Sequence, residues 1–137
     1  PRSKRNPHNI KGLENIKGAK ILLVEDNEIN QEVAAELLED ERFWVTTANN
    51  GQEAIQKVVE SKFDAVLMDI NMPVMDGITA VKKIRANSIK VPIIAQTAYA
   101  MMKERESCLN AGCDDYITKP INAKELIDKI IALVKVS

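Results

Sequence analysis

A chain of 137 residues and 15.3 kDa suits one compact domain, long enough to bury a core without disulfides or a structural metal. Its apolar fraction of 45% and charged fraction of 28% exclude a disordered or fibrous chain, and no apolar run approaches the roughly 20 residues of a membrane span. The net charge of -1 conceals a basic start: residues 1–20 hold six of the 19 Lys and Arg and one acid, so residues 21–137 carry 13 basic and 19 acidic groups, a net of -6. An acidic body argues against nucleic acid as a partner, and the expected division is a basic linker or tail over residues 1–18 and one domain over 19–137. Cys108 and Cys113 are too few for a disulfide framework and have no second ligand pair for zinc. The opening "PRSKRNPHNIKG" is not a charged-then-apolar leader, so a cytoplasmic setting without direct membrane contact is expected.

In chain order, "KILLVED" reads as a strand, and "NEINQEVAAELLEDE" as a helix with Ile29, Val33 and Leu37 at helical spacing. "FWVTTA" is a second strand, and "NGQEAIQKVVESK" a second helix with Ala54, Ile55, Val58 and Val59 turned inward. "DAVLMD" is a third strand, and "ITAVKKIRANS" the next helix. "VPIIAQT", the helical "MMKERESCLNAG" closed by Gly112, the short strand "DYIT" and the helix "NAKELIDKIIALVKV" complete the series. Five apolar strands, each followed by a helix, imply an α/β fold: a parallel sheet covered on both faces, with right-handed crossovers.

In such a sheet functional groups gather beyond the carboxyl ends of the strands. The first strand ends in Glu25 and Asp26, the third in Asp69, the fourth in Thr97, and the fifth runs into Lys119. Taken singly, each has an ordinary explanation as a solvated strand end, a helix cap or a surface charge. Combined, clustered carboxylates repel unless a cation binds them, and hard oxygen donors at a hydrated site suit Mg2+ rather than zinc. Asp26 and Asp69 are the expected ligands, with Glu25 acting through a water and a carbonyl near Asn71 adding an oxygen. A lysine and a hydroxyl beside such a metal can hold the remaining oxygens of a phosphoryl group, and a carboxylate there can be the nucleophile. Asp69 is the candidate, because its strand lies in the middle of the sheet.

"LLVEDN", "LMDINMPVMDG", "QTAYA" and "DDYITKP" together resemble the receiver domain of two-component response regulators, over about residues 19–136. "VEDNEINQEVAAELL" is similar to receivers attached to hybrid sensor histidine kinases. The resemblance implies a flavodoxin-like (βα)5 three-layer sandwich with strand order 2-1-3-4-5. It implies that Asp69 takes a phosphoryl group from a histidine kinase or histidine phosphotransfer protein, with Mg2+ held by Asp26, Asp69 and the Asn71 carbonyl and assisted by Glu25. Thr97 and Lys119 would bind the phosphoryl oxygens, and Tyr116 would turn inward behind Thr97, altering the surface of helix four, strand five and helix five. A cis bond before Pro120 is implied as well. The sequence departs from the family at Arg42, where glycine is common, and at Gln96, where an apolar residue is common. By the same resemblance, Asn71 and Tyr99 occupy positions that in the family modulate attack of water on the acyl phosphate. His8, the only histidine, lies in the tail, so the phosphodonor is expected on another chain or on a removed part of this one.

Two other readings remain. A phosphohydrolase with an Asp nucleophile would need a general acid near Asp69 and a cap, neither of which is visible, so the isolated domain is not expected to be a turnover enzyme. An unphosphorylated interaction module would not need the complete acid, hydroxyl and lysine set. A monomer is expected in the unphosphorylated state, as part of a hybrid kinase rather than a stand-alone receiver.

Overall fold

The computed structural model describes residues 18–70, 77–98 and 102–134, the side chain of Glu104 excepted. The elements alternate without exception: β1 (Lys20–Val24), α1 (Glu28–Asp40), β2 (Trp44–Ala48), α2 (Gly51–Glu60), β3 (Ala65–Asp69), α3 (Gly77–Ala86), β4 (Ile93–Thr97), α4 (Met102–Ala111), β5 (Asp115–Thr118) and α5 (Ala123–Leu133). The strands form one parallel sheet of order β2-β1-β3-β4-β5. This is the flavodoxin-like arrangement that the family resemblance implied.

Each central strand is buried because its side chains alternate between two apolar layers. Leu22, Val24, Val66 and Met68 pack toward Ala54, Ala80, Ile84 and Cys108, while Ile21, Leu23, Leu67 and Ile94 pack toward Ala34, Leu38, Leu126 and Ile130. Full burial of a Leu or Ile side chain contributes about 1.5–3 kcal/mol, so the two layers supply the main driving force for folding. Three helices start on the same local device. The side chains of Asn27, Asn50 and Asn122 accept hydrogen bonds from the backbone N–H groups of Asn30, Glu53 and Glu125, each at 2.9 Å.

Two expectations need correction. β2 is an edge strand with alternating exposure, and Trp44 is exposed, because one side of it has no neighbouring strand. On α1 the row of Ile29 and Val33 faces solvent, and on α2 so does Val59; Ala34, Leu38, Ala54 and Val58 carry the packing. Apolar residues at helical spacing define a face but not which neighbour it meets.

One arginine ties two connections together. Arg85, near the end of α3, donates from Nη1 to the carbonyls of Ile89 (2.9 Å) and Val91 (2.8 Å), from Nε to the carbonyl of Gly112 (3.0 Å), and from Nη2 to Asp114 (3.0 Å). The same Asp114 oxygen accepts from the N–H of Ile93 at 2.8 Å, fixing the start of β4. Gly112 sits at φ +118, and a Cβ there would lie 2.7 Å from Arg85 Cγ. Glycine is therefore required both by the backbone and by the arginine lying across it.

Candidate functional site

The carboxyl ends of β1, β3, β4 and β5 lie at one edge of the sheet, and four of the expected polar groups end the strands there. Asp69 is the last residue of β3 and is 1% exposed. Thr97, the last residue of β4, is fully buried, and its carbonyl accepts from the Lys119 N–H at 2.8 Å. Glu25 follows β1 and is buried, whereas Asp26 beside it is exposed. The Lys119–Pro120 peptide is cis, in agreement with the family pattern.

Carboxylate oxygens of Glu25, Asp26 and Asp69 lie within 4.8 Å of one another. The Lys119 ammonium, 3.3 Å from Asp69 Oδ2 and 3.7 Å from Glu25 Oε1, answers part of this negative charge. Burial pushes the Glu25 carboxyl up from 4.5 to about 7, and its hydrogen bond to Asp69 and the charge of Asp69 push the same way. The Asn27 N–H, 3.2 Å from Glu25 Oε2, and Lys119 pull in the opposite direction without restoring the ordinary value. Two buried carboxyl groups in contact cannot both be ionised cheaply, so Glu25 keeps its proton to a higher pH than an exposed glutamate. The donor set of three carboxylates, open on the Asp26 side, fits a hard divalent ion such as Mg2+.

Asn71 and Tyr99 lie outside the described residues, as does the tail over 1–17. Tyr116, half-buried on β5, has Arg105 of α4 5.4 Å and Lys129 of α5 6.0 Å from its ring centre. Gly77, the first residue of α3, has a strict duty. A Cβ on it would fall 2.5 Å from the Asp69 carbonyl oxygen and 2.6 Å from Ile70 Cα, so α3 begins hard against the backbone that carries Asp69. The "DG" pair marks such a turn in sequence but not what the turn presses on.

The wall beside the acids is apolar. α1 presents Ile29 (72% exposed) and Val33 (63% exposed), and a pocket of about 400 Å3 opens between α1 and the connection from β5 to α5. A larger hollow, about 660 Å3 around Val58, Phe63 and Ile89, lies at the opposite edge of the sheet and touches none of these groups.

Residues 21–131 match the family model described as response regulator receiver domain. The chain is 42% identical over 120 residues to hybrid signal transduction histidine kinase I of Dictyostelium discoideum, covering 81% of this chain and 7% of that one. It is 41% identical over 117 residues to the sensor protein GacS of Pseudomonas syringae, covering 82% and 13%. The chain thus spans a small part of the length of these curated relatives. Among solved structures, the receiver domain of the sensor histidine kinase PA1611 from Pseudomonas aeruginosa, with a magnesium ion coordinated in its active-site cleft, aligns with a TM-score of 0.80 at 42% identity over 85% of this chain and 98% of that one. The receiver domain of the Saccharomyces cerevisiae response regulator Ssk1, solved with the histidine phosphotransfer protein Ypd1, aligns with a TM-score of 0.82 at 33% identity over 86% and 90%.

Proposed function

Because this chain belongs to the response regulator receiver family, with the family's acidic site at Glu25, Asp26 and Asp69, we propose that Asp69 is the phosphoacceptor of a two-component phosphorelay. The observation that carries this reading is the 3.3 Å contact of the Lys119 ammonium with a buried carboxylate, which itself lies among two more carboxyl groups. A structural ion pair has no use for those extra acids; a site that exchanges a cation and a phosphoryl group does.

A carboxylate oxygen of Asp69 forms the new O–P bond as the N–P bond to the donor histidine breaks, and the electron pair of that bond returns to the imidazole nitrogen. Glu25, Asp26, Asp69 and the Asn71 carbonyl would hold Mg2+, which when bound neutralises charge on the phosphoryl oxygens. Lys119 leaves its ion pair with Asp69 to take a phosphoryl oxygen, and the Thr97 hydroxyl donates to another. The new charge of about -2 draws both groups toward it. Tyr116 then moves into the space behind Thr97 and leaves Arg105 and Lys129, changing the face of α4, β5 and α5.

The donor is a histidine kinase or histidine phosphotransfer protein, and the exposed Ile29 and Val33 beside the acids are its apolar footing. A histidine phosphotransfer protein, Ypd1, is the partner in the solved complex of a related receiver, that of Ssk1. The domain works as a cytoplasmic part of a hybrid kinase and as a monomer before phosphorylation; among the described residues no helix is long and apolar enough to cross a membrane. The test is intact mass after incubation with acetyl phosphate and Mg2+, on wild type and Asp69→Asn. A base-labile gain of one phosphoryl group in the wild type alone is expected, and no gain in either would leave an interaction module as the function.

A further inference from the structure

The edge of the sheet opposite the acids carries a second cluster of like charges. A pocket of about 530 Å3 opens there between β2 and the connection from α2 to β3, where Lys20, Lys57 and Lys62 stand against one acid, Glu60. The register pairs Lys20 with Trp44 and Leu22 with Thr46, and Leu22 packs with Ala54 and Val58 of α2, so Lys20, Trp44 and Thr46 share the α2 face of the sheet. Among the described residues none of the three ammonium groups forms an ion pair. Glu60 accepts from the Gln56 amide at 3.2 Å, and Asp64 accepts from the Lys20 N–H at 2.7 Å. Trp44, the only tryptophan, is 69% exposed. The length of β1 separates this pocket from the acidic site by roughly 16 Å, about twice the Debye length at physiological salt, so those carboxylates do not answer the lysines.

Three like charges around one hollow repel one another, and an anion relieves them. Their place on a body of net charge -6 over residues 21–137 makes the cluster a local exception. The pocket also offers an indole open to water, with the half-buried Val45 and Phe63 as apolar walls and the hydroxyls of Thr46 and Ser61 as donors. A phosphate alone would answer the lysines and leave Trp44 bare, whereas an uncharged ring would cover Trp44 and leave the lysines unanswered. A ligand with both parts answers both. We propose that this pocket binds a nucleoside polyphosphate, with its base stacked on Trp44 and its phosphates held by Lys20, Lys57 and Lys62. The volume lies within the range of small-molecule sites, about 300–1,000 Å3, and a concave site of that size suits such a ligand better than a flat bilayer or an extended acidic chain. The inference goes beyond the phosphorelay reading and does not depend on it. Because the two sites lie at opposite edges of the sheet, both can be filled at once.

The experiment follows the fluorescence of Trp44, which no other tryptophan obscures, while adenosine triphosphate, tripolyphosphate and adenosine are each titrated into the whole chain without Mg2+. Adenosine triphosphate is expected to quench Trp44 to saturation and to bind about tenfold or more tighter than tripolyphosphate, the worth of one base stacked on an aromatic ring. It should also bind more tightly than adenosine, and lose about tenfold in affinity at about 0.5 M salt. The double variant Lys57→Glu, Lys62→Glu should abolish binding. In Trp44→Leu, read by calorimetry, adenosine triphosphate should bind no better than tripolyphosphate. In 15N spectra of the wild type the signals of Trp44, Ser61 and Lys62 are expected to shift while that of Asp69 stays in place. Equal binding of adenosine triphosphate and tripolyphosphate would leave a patch for polyanions, and equal binding of adenosine triphosphate and adenosine a hollow for rings. A response of Trp44 to phosphatidylglycerol vesicles but not to the nucleotide would make this a membrane-facing surface. Shifts centred on Asp69 would place the nucleotide at the acidic site, and no saturable binding would leave an ordinary solvated face. Each of these results would overturn the proposal. Because the comparison of three ligands is made on the wild type, a variant that fails to fold does not remove the test.

Discussion

If the acidic site holds Mg2+ as proposed, Glu25 makes that binding depend on pH. In the metal-free domain its carboxyl is held at about 7 instead of 4.5, through burial first and the hydrogen bond and charge of Asp69 second. Below pH 4.5 Glu25 is protonated in both folded and unfolded chains, and the site carries no penalty. As pH rises from 4.5 to about 7 the unfolded chain releases the proton while the folded one retains it, so stability is lost across that window, up to about 3 kcal/mol. A divalent ion replaces the proton and relieves the same repulsion, so metal and proton compete. For a group titrating at about 7, the apparent affinity is reduced by roughly elevenfold at pH 6 and by about 10% at pH 8. Titration calorimetry with MgCl2 in two buffers of different ionisation enthalpy should therefore show affinity rising about tenfold from pH 6 to pH 8, with about half a proton released per ion at pH 7. Glu25→Gln should flatten the dependence. A Mg2+ affinity constant across this range, with no proton released, would refute the account of how Glu25 is held.

Three further outcomes follow from individual contacts. Gly77→Ala places a methyl 2.5 Å from the Asp69 carbonyl and must move either α3 or the end of β3; Mg2+ affinity is expected to fall by about tenfold or more while the helical circular dichroism is retained, and unchanged affinity would contradict the stated role. Arg85→Ala leaves the carbonyls of Ile89, Val91 and Gly112 without their donor and should cost about 2–4 kcal/mol, read as a fall in Tm of roughly 10 °C. Arg42 stands at φ 74, a conformation that costs a non-glycine residue about 1–2 kcal/mol, so Arg42→Gly should gain about 0.5–1 kcal/mol after the entropy of glycine is deducted; urea unfolding checks it, and a loss would refute the strain.

The polar residues that end strands were legible because a parallel sheet has one edge where its strand ends converge: Glu25 and Asp69 were the first polar groups past an apolar run, and Asp26, Thr97 and Lys119 each stood one residue further on. The glycine that the family favours at position 42 also has its reason in the backbone, which turns left-handed there. What the sequence concealed depends on distance and burial. Nothing in "KKIRANS" marks Arg85 as the clamp of two connections, since its partners lie 4 to 29 residues away. The orientation of Ile29, Val33 and Val59 was hidden because periodicity is unchanged when a helix rotates about its axis. Gln96 could be seen as a departure from the family pattern, but not that its carbonyl would be buried without a donor.

The charge arrangement explains why a site so acidic is stable before any ligand arrives. Asp69 is buried at the end of a fully buried strand, where an isolated carboxylate would be costly, and Lys119 at 3.3 Å supplies the counter-charge. That lysine also lies 3.7 Å from Glu25, so one ammonium serves two acids, and the remaining repulsion between the acids is relieved by protonating Glu25 rather than by a second base. A proton and an ammonium are both displaceable. Mg2+ can take the place of the first, and a phosphoryl group on Asp69 can draw the second away from its ion pair without leaving it unpaired. The resting domain is therefore held by two interactions that each ligand replaces in turn. Lys119→Ala should separate them: without the ammonium, the repulsion that holds a proton on Glu25 is no longer opposed, so the midpoint of the Mg2+ affinity curve moves to higher pH. A midpoint that stays in place would mean that Lys119 is a bystander to the acids it touches.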